Sequence, residues 1–385
     1  MSDLAYFDNA ATTFPKPESV YSYADYVYRN FGVNTSRGRY GLAADAGSIK
    51  AESKSLLKRL LDCEGKQVVY TASATDALNR ILLGLSLAKG SYVYVSPFEH
   101  NAVTRVLHHL EASNQIVLKI LPFNHETLLL DDLELEKMFC QYRPSLVVMT
   151  HASNVCGAVL PVEHVFDIAK QYDSITVTDM SQTAGLVPLR LGLDCIDFAV
   201  FAGHKTLYSP FGIGGFICNK DEKRLSPVLY GGNGVNSLEQ DMPEDIILME
   251  EISSQNIYAI AGLHASVSWL LENHLEILEK ENRAKSNLLQ ILSSYSNIDI
   301  VGSHRECESI GVVSCVFDGY SPDEIGSILS ARGVAVRTGL HCAPFAHRFL
   351  GTLPAGTVRF SVSSFTSCDE FDLLTAALDL IEESC

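Results

Sequence analysis

Along the first two-thirds of the chain, the hydrophobic positions switch repeatedly between two periods. Val68-Val69-Tyr70 is a short apolar run of strand type. The next segment, Ser73 to Leu87, places Ala77, Leu78, Ile81, Leu82 and Leu85 at helical spacing. The alternation continues through strand 92–95, helix 101–111, strand 116–121 and an acidic helix around 132–139. Strand 145–150, helix 162–171, strand 175–178 and strand 197–201 follow. Short β runs separated by helical patterns predict a mostly parallel sheet with helices on both faces, an α/β fold. Ligands of such sheets bind beyond the C-terminal ends of the strands, where loops meet helix N-termini.

The texture changes near residue 255. Asn256 to Glu279 reads as a long amphipathic helix carrying Ile257, Ile260, Leu263, Val267, Leu270 and Leu271, and a second helix is predicted at 282–294. Shorter strands and helices follow at 310–317, 322–331, 333–337, 357–362 and 369–383. This pattern predicts a large domain over residues 15–255 and a smaller α+β domain built from 1–14 and 256–385. A length of 385 residues suits two cores.

Composition narrows the function. Apolar residues make up 47% and charged residues 19%, as in a well-buried globular enzyme. The formal net charge of -17 repels phosphate backbones and anionic lipid, which argues against nucleic-acid and membrane-surface partners. Ten cysteines lie scattered with no CxxC pair, the N-terminus shows no basic region followed by an apolar run, and no stretch approaches ~18 apolar residues. The chain reads as a cytoplasmic protein with reduced thiols.

Polar residues cluster where the strands end. Strand 67–71 runs into "TASATDALN", whose small residues open a helix and offer free backbone N–H groups and the Thr75 hydroxyl to an anion. Strand 92–95 leads to "SPFEHNAV" with His100, strand 145–150 to "THASNVCG" with Asn154, and strand 175–178 to "TDMSQTAG" with Asp179 and Gln182. Strand 197–201 ends in "AGHK", a turn holding His204 and Lys205 inside an otherwise apolar stretch. Any one of these is an ordinary cap or turn; clusters at successive strand ends converge on one crevice. A phosphate cradle, a flat group, a carboxylate, an amide and a lysine together suit pyridoxal 5'-phosphate. Its aldehyde takes a lysine as a Schiff base, and its pyridine nitrogen takes an acidic partner. A metal site and a nucleotide site lack their motifs: there is no HExxH, and "GIGG" and "GGNG" match neither GxGxxG nor a P-loop.

The motifs "YFDNAATT", "TASATDALN", "EHNAV", "HASNVCG", "DMSQTAG", "AGHKTLYSPFGIGG", "RTGLHCAP" and "GTVRFSVSSFTSCDEFD" occur in this order from about residue 6 to residue 380. The chain resembles class V aminotransferase-fold enzymes, most closely the cysteine desulfurase/selenocysteine lyase family, and the compact "RTGLHCAP" resembles its group II branch. The resemblance implies fold type I of the pyridoxal-phosphate enzymes, with a seven-stranded sheet in the large domain. It implies Lys205 as the lysine that carries the cofactor, Asp179 on the pyridine nitrogen, Gln182 on the ring oxygen and His100 stacked on the ring. Asn154 falls near ring and substrate, Ala74, Thr75 and His204 in the phosphate cradle, and Arg359 on the substrate carboxylate. Cys342 matches the sulfur-accepting cysteine, with Arg337 and His341 as candidates for the positive field a thiolate needs.

The implied reaction converts L-cysteine, or L-selenocysteine in the lyase alternative, to L-alanine and leaves a persulfide on Cys342 for an acceptor protein. Three positions depart from the family pattern: Tyr40 stands for a histidine, Ala202 for a Ser or Thr, and Ser253-Ser254 for Gly-Thr. Ser254 still offers the hydroxyl that reaches the phosphate across an expected homodimer interface. Two other readings stay open: another class V reaction, transamination or Cα/Cβ lysis, with Cys342 incidental, and a non-catalytic binding protein that keeps only the fold.

Overall fold

The computed structural model describes residues 4–35, 40–232 and 238–383. Strand β1 (Ala5–Tyr6) is followed by helices α1 (Glu18–Phe31) and α2 (Gly41–Leu60). Next come β2 (Gln67–Thr71), α3 (Ala74–Gly84), β3 (Ser91–Val95), α4 (Asn101–Ala112), β4 (Ile116–Ile120) and α5 (Asp132–Gln141). Then follow β5 (Pro144–Thr150), α6 (Val162–Lys170), β6 (Ile175–Asp179), β7 (Phe198–Ala202), β8 (Gly214–Cys218) and the short α7 (Ile246–Glu250). The remainder is α8 (Ile257–Leu292), β9 (Ile298–Ile300), β10 (Val312–Phe317), α9 (Pro322–Ala331), β11 (Val334–Ala335) and β12 (Arg337–Gly339). It closes with α10 (Pro344–Phe349), β13 (Thr357–Ser361) and α11 (Cys368–Glu382).

Seven strands form the main sheet in the order β2-β8-β7-β6-β5-β3-β4. Its neighbours pair in parallel except at β8, which runs against both β2 and β7. The alternation of side chains across a strand distributes its residues between two cores. Leu146 and Val148 of β5 face the layer that holds Leu78, Ile81, Val103 and Leu107 from α3 and α4. Val147 and Met149 face the opposite layer, with Phe166 of α6 and Ile260, Leu263 and Val267 of α8. Burial on both faces explains why β7 reads as the unbroken apolar run Phe198–Ala202, every residue of it buried.

A third core lies around the antiparallel sheet β12-β13-β10-β9 and packs α9 and α11 with Ala5, Phe7 and the end of α8. Helix α8 serves three clusters: Ile257 and Ala261 pack with Val27 of α1 and Ala46 and Ile49 of α2, Ile260, Leu263, Val267 and Leu270 with the main sheet, and Ala284, Leu288 and Leu292 with the smaller one.

Two details of the sequence reading change. The helices expected at 256–279 and 282–294 are one helix of 36 residues, because Glu279, Lys280, Glu281 and Arg283 are good helix formers and no Gly or Pro stops it. The strand expected at 333–337 is two short strands in different sheets, β11 beside β1 and β12 beside β13. Helices α1 and α2, absent from that reading, lie against α8.

Candidate active site

The lysine turn is fixed first by what cannot fit beside it. A Cβ on Gly203 would stand 2.3 Å from Ser209 Oγ and 2.8 Å from the Ile213 carbonyl, so the tight return of the chain after β7 requires glycine. A Cβ on Gly214 would stand 2.6 Å from the Ala74 nitrogen, so β8 passes directly against the start of α3. The N-terminal segment holds the turn from the other side. Thr12 Oγ1 donates to the His204 carbonyl at 3.0 Å and Thr13 Oγ1 to the Lys205 carbonyl at 2.9 Å. Lys16 Nζ reaches the carbonyls of Thr13 and His204 at 2.6 and 2.7 Å.

Nine of the residues expected from the sequence line one cavity of about 210 Å³: Ala74, Thr75, His100, Asn154, Asp179, Gln182, His204, Lys205 and Arg359. Each arrives from a strand end or helix start. Ser73 caps α3, accepting from Asp76 N at 3.1 Å, and leaves the first backbone N–H groups of that helix without intrahelical partners. His100 caps α4 by accepting from Ala102 N through Nδ1 at 3.0 Å, which puts the proton of the neutral ring on Nε2. Asp179 ends β6, and Ser181 donates to its Oδ1 through both N–H (2.9 Å) and hydroxyl (2.5 Å). Gln182 is oriented by a 2.9 Å bond to the Ala10 carbonyl, and Asn154 by a 2.8 Å bond to the His341 carbonyl.

Burial sets the protonation of this cavity. Desolvation pulls Lys205 down from the ordinary lysine range to about 8, against the opposing pull of Asp179 and with help from Arg359 and Arg337. His100 falls to about 4 by desolvation and then by the neighbouring Lys205, and His204 to about 4 for the same two reasons. Both rings are neutral at pH 7. His204 Nδ1 is buried without a partner among the described residues.

Arg359, on β13, is 1% exposed. It pairs with Asp8 Oδ1 at 2.7 Å, donates to the Asn154 carbonyl at 3.0 Å, and keeps a buried Nε with no partner among the described residues. Asp8 lies inside the "YFDNAATT" motif, but its role was not legible there. The bridge between Asp8 and Ser361, with Ser361 N donating to the Phe7 carbonyl at 2.7 Å, brings the first strand region beside β13. Ser181 was missed for a different reason: its partner Asp179 is only two residues away, but the turn that brings them together does not show in the motif.

Cys342 and Ser254 stand apart from the cavity lining. Cys342 sits half-buried on a turn in which His341 (φ 47°) and Cys342 (φ 59°) both adopt the left-handed conformation. Its carbonyl accepts from Asn101 N at 2.7 Å, which ties the turn to the start of α4. Of the two candidate cations, Arg337 is the one in place, donating from Nη2 to Cys342 Sγ at 3.3 Å. His341 is buried, bonded through Nε2 to Thr357 Oγ1 at 2.8 Å, and held far below the ordinary histidine range by desolvation, so it brings no charge. Ser254 is exposed beside a different cavity of about 450 Å³, where its hydroxyl accepts from Asn34 Nδ2 at 3.2 Å.

The fold and site define an α/β enzyme in which a desolvated lysine, Lys205, faces an anion-ready helix start at the ends of a mostly parallel sheet. The chain belongs to the class-V aminotransferase family, which matches residues 5–374. A curated relative from Aeropyrum pernix, "Probable cysteine desulfurase", is 30% identical over 393 residues, covering 98% of this chain and 94% of its own. The cysteine desulfurase of Haloferax volcanii is 27% identical, covering 99% and 90%. Among solved structures, the apo cysteine desulfurase of Thermococcus onnurineus superposes with a TM-score of 0.90 at 26% identity, covering 99% of this chain and 95% of its own.

Proposed function

We propose that this chain is a pyridoxal-phosphate-dependent cysteine desulfurase in which Lys205 holds the cofactor and Cys342 takes the sulfur. The observation that carries this reading is the convergence of a desolvated lysine, a carboxylate and a helix N-terminus on one cavity, with a half-buried thiol beside an arginine just outside it. The cavity fits the cofactor. Ala74 and Thr75 offer free N–H donors to a phosphate, His204 a buried Nδ1 without a partner, and Asp179 a carboxylate oriented by Ser181. Gln182 is poised to donate to the ring oxygen and His100 to stack on the ring.

When bound, the cofactor supplies an electron sink for negative charge developing at the substrate Cα. The residues of the chain do the rest. Lys205, near 8, exchanges a proton at Nζ around neutral pH and serves as the base at Cα. His100 enters neutral, with its proton on Nε2, and can relay a proton near the leaving sulfur. Arg359 is spanned by Asp8 and the Asn154 carbonyl, so its free Nε edge is what a substrate carboxylate would engage. Arg337 steadies negative charge on Cys342 Sγ as that sulfur attacks the substrate sulfur and releases alanine.

The sulfur then leaves Cys342 for an acceptor. We propose a homodimer, in which Ser254 reaches the partner's phosphate site, and a cytoplasmic setting. Nine free cysteines among the described residues and the lack of any described helix long and apolar enough to cross a membrane support that setting. The test is a single turnover of loaded enzyme with L-cysteine, scored for alanine and for one added sulfur on the Cys342 peptide. Cys342→Ala should lose both. A variant that keeps full alanine formation would place the chain with enzymes in which the thiol is incidental.

A further inference from the structure

Two grooves meet at Cys342, and one unpaired cation stands on the wall they share. The larger, about 590 Å³, runs between α4 and the 337–345 segment. The smaller, about 370 Å³, runs back along α4 toward Asn79 and Leu83 of α3. Asn101, Arg105 and Cys342 line both. Asn101 N holds the Cys342 carbonyl, and Arg105 lies four residues on, one helical turn along the same face. Arg105 is exposed, and among the described residues its guanidinium forms no hydrogen bond or ion pair, whereas seven of the twelve other described arginines are engaged by carboxylates or carbonyls. His108 and His109 extend the track on either side. The one acidic side chain in these grooves, Glu111, accepts from Leu118 N. On a chain of net charge -17, a basic track at the reactive thiol is the exception to its surroundings.

Resting on the function proposed above, we propose that Arg105 anchors the sulfur acceptor, and that this acceptor is an extended segment of another protein whose cysteine is flanked by an Asp or Glu. The grooves continue past Cys342 in both directions, a longer track than a free thiol can fill, and their charge complements an acidic segment. The step balances without an added oxidant. The acceptor thiolate attacks the outer sulfur of the Cys342 persulfide, the S–S bond to Cys342 breaks, and Cys342 leaves as a thiolate. The acceptor becomes the persulfide, and its former proton passes to solvent or to Cys342.

The experiment uses loaded enzyme carrying a preformed Cys342 persulfide. Discharge rates are measured for a cysteine peptide flanked by two Asp, the same peptide with two Asn, and mercaptosuccinate, at equal thiolate concentrations. Wild type should discharge to the Asp peptide roughly fivefold faster than to the Asn peptide, as one favourable exposed charge pair allows. Arg105→Gln should erase the preference and Arg105→Glu reverse it, while single-turnover alanine formation stays unchanged. At ~1 M salt the wild-type preference should vanish. Equal rates for the two peptides, or a preference that survives Arg105→Glu, overturn the anchor. Mercaptosuccinate matching the Asp peptide overturns the protein segment in favour of a small anionic thiol. A Cys342 that never gains sulfur contradicts the desulfurase reading itself, a failure visible before any acceptor is added.

Discussion

The two centres to which we assign the reaction, Lys205 and Cys342, are built in opposite ways. Lys205 lines a cavity beside the buried Asp179 and Gln182, where desolvation strips charge from the half-buried His100 and His204 and draws Lys205 itself down to about 8. Cys342 is half-buried on a left-handed turn, next to Arg337 and open to two grooves. The other thiols sharpen the contrast. Cys63 and Cys218 are buried and pushed up to about 12, where they stay protonated and inert. A desolvating cavity suits a group proposed to give up its proton near neutral pH; a place beside an arginine at the meeting of two grooves suits a thiol proposed to hand its cargo to another molecule.

Breaking the cavity centre should have the largest effect. Lys205→Ala should lower alanine formation by at least about a thousandfold, since residues acting as a unit in catalysis fail together. It should also remove the visible absorbance of the purified enzyme, read in a simple spectrum. Breaking the groove centre leaves the cavity one intact: Cys342→Ala should keep that absorbance while persulfide formation disappears, checked by intact-protein mass.

A third test probes the link between the small sheet and the cavity. Asp8→Ala removes the partner of a guanidinium that is 1% exposed, and breaking such a pair costs about 3 kcal/mol. Unfolding in urea should move to lower concentration, and the KM for L-cysteine should change more than for surface substitutions, because Arg359 loses one of the groups that orient it.

The smallest effect is a pH profile. Raising pH frees the Lys205 amine, so loading of apo-protein with cofactor should climb up to about pH 8 and then level off. A lysine in its ordinary range would keep climbing past pH 10. The sign follows from desolvation favouring the neutral amine in the folded chain.

The main sheet was legible because its inner strands, buried on both faces, read as short apolar runs between amphipathic helices. The strand-end polar residues were legible for the same reason: once the strands were placed, Asp179, Gln182 and Lys205 had to meet at one edge. What local pattern could not reveal was long-range pairing. Asp8 and Arg359 are 351 residues apart, and only the fold joins them. The split of 256–294 into two helices failed because the buried face of α8 passes from one core to another, which interrupts the periodicity without interrupting the helix. His341 looked like a cation beside Cys342, yet its burial, invisible in a loop motif, leaves it neutral.

The most direct test of the account is to reduce the cofactor-loaded enzyme with borohydride and map the modified peptide. Lys16 is the informative rival, since burial also draws it down to about 8, but its Nζ is committed to two carbonyls. The account predicts a single cofactor adduct on the peptide containing Lys205. An adduct on Lys16 or elsewhere, with Lys205 unmodified, would contradict it.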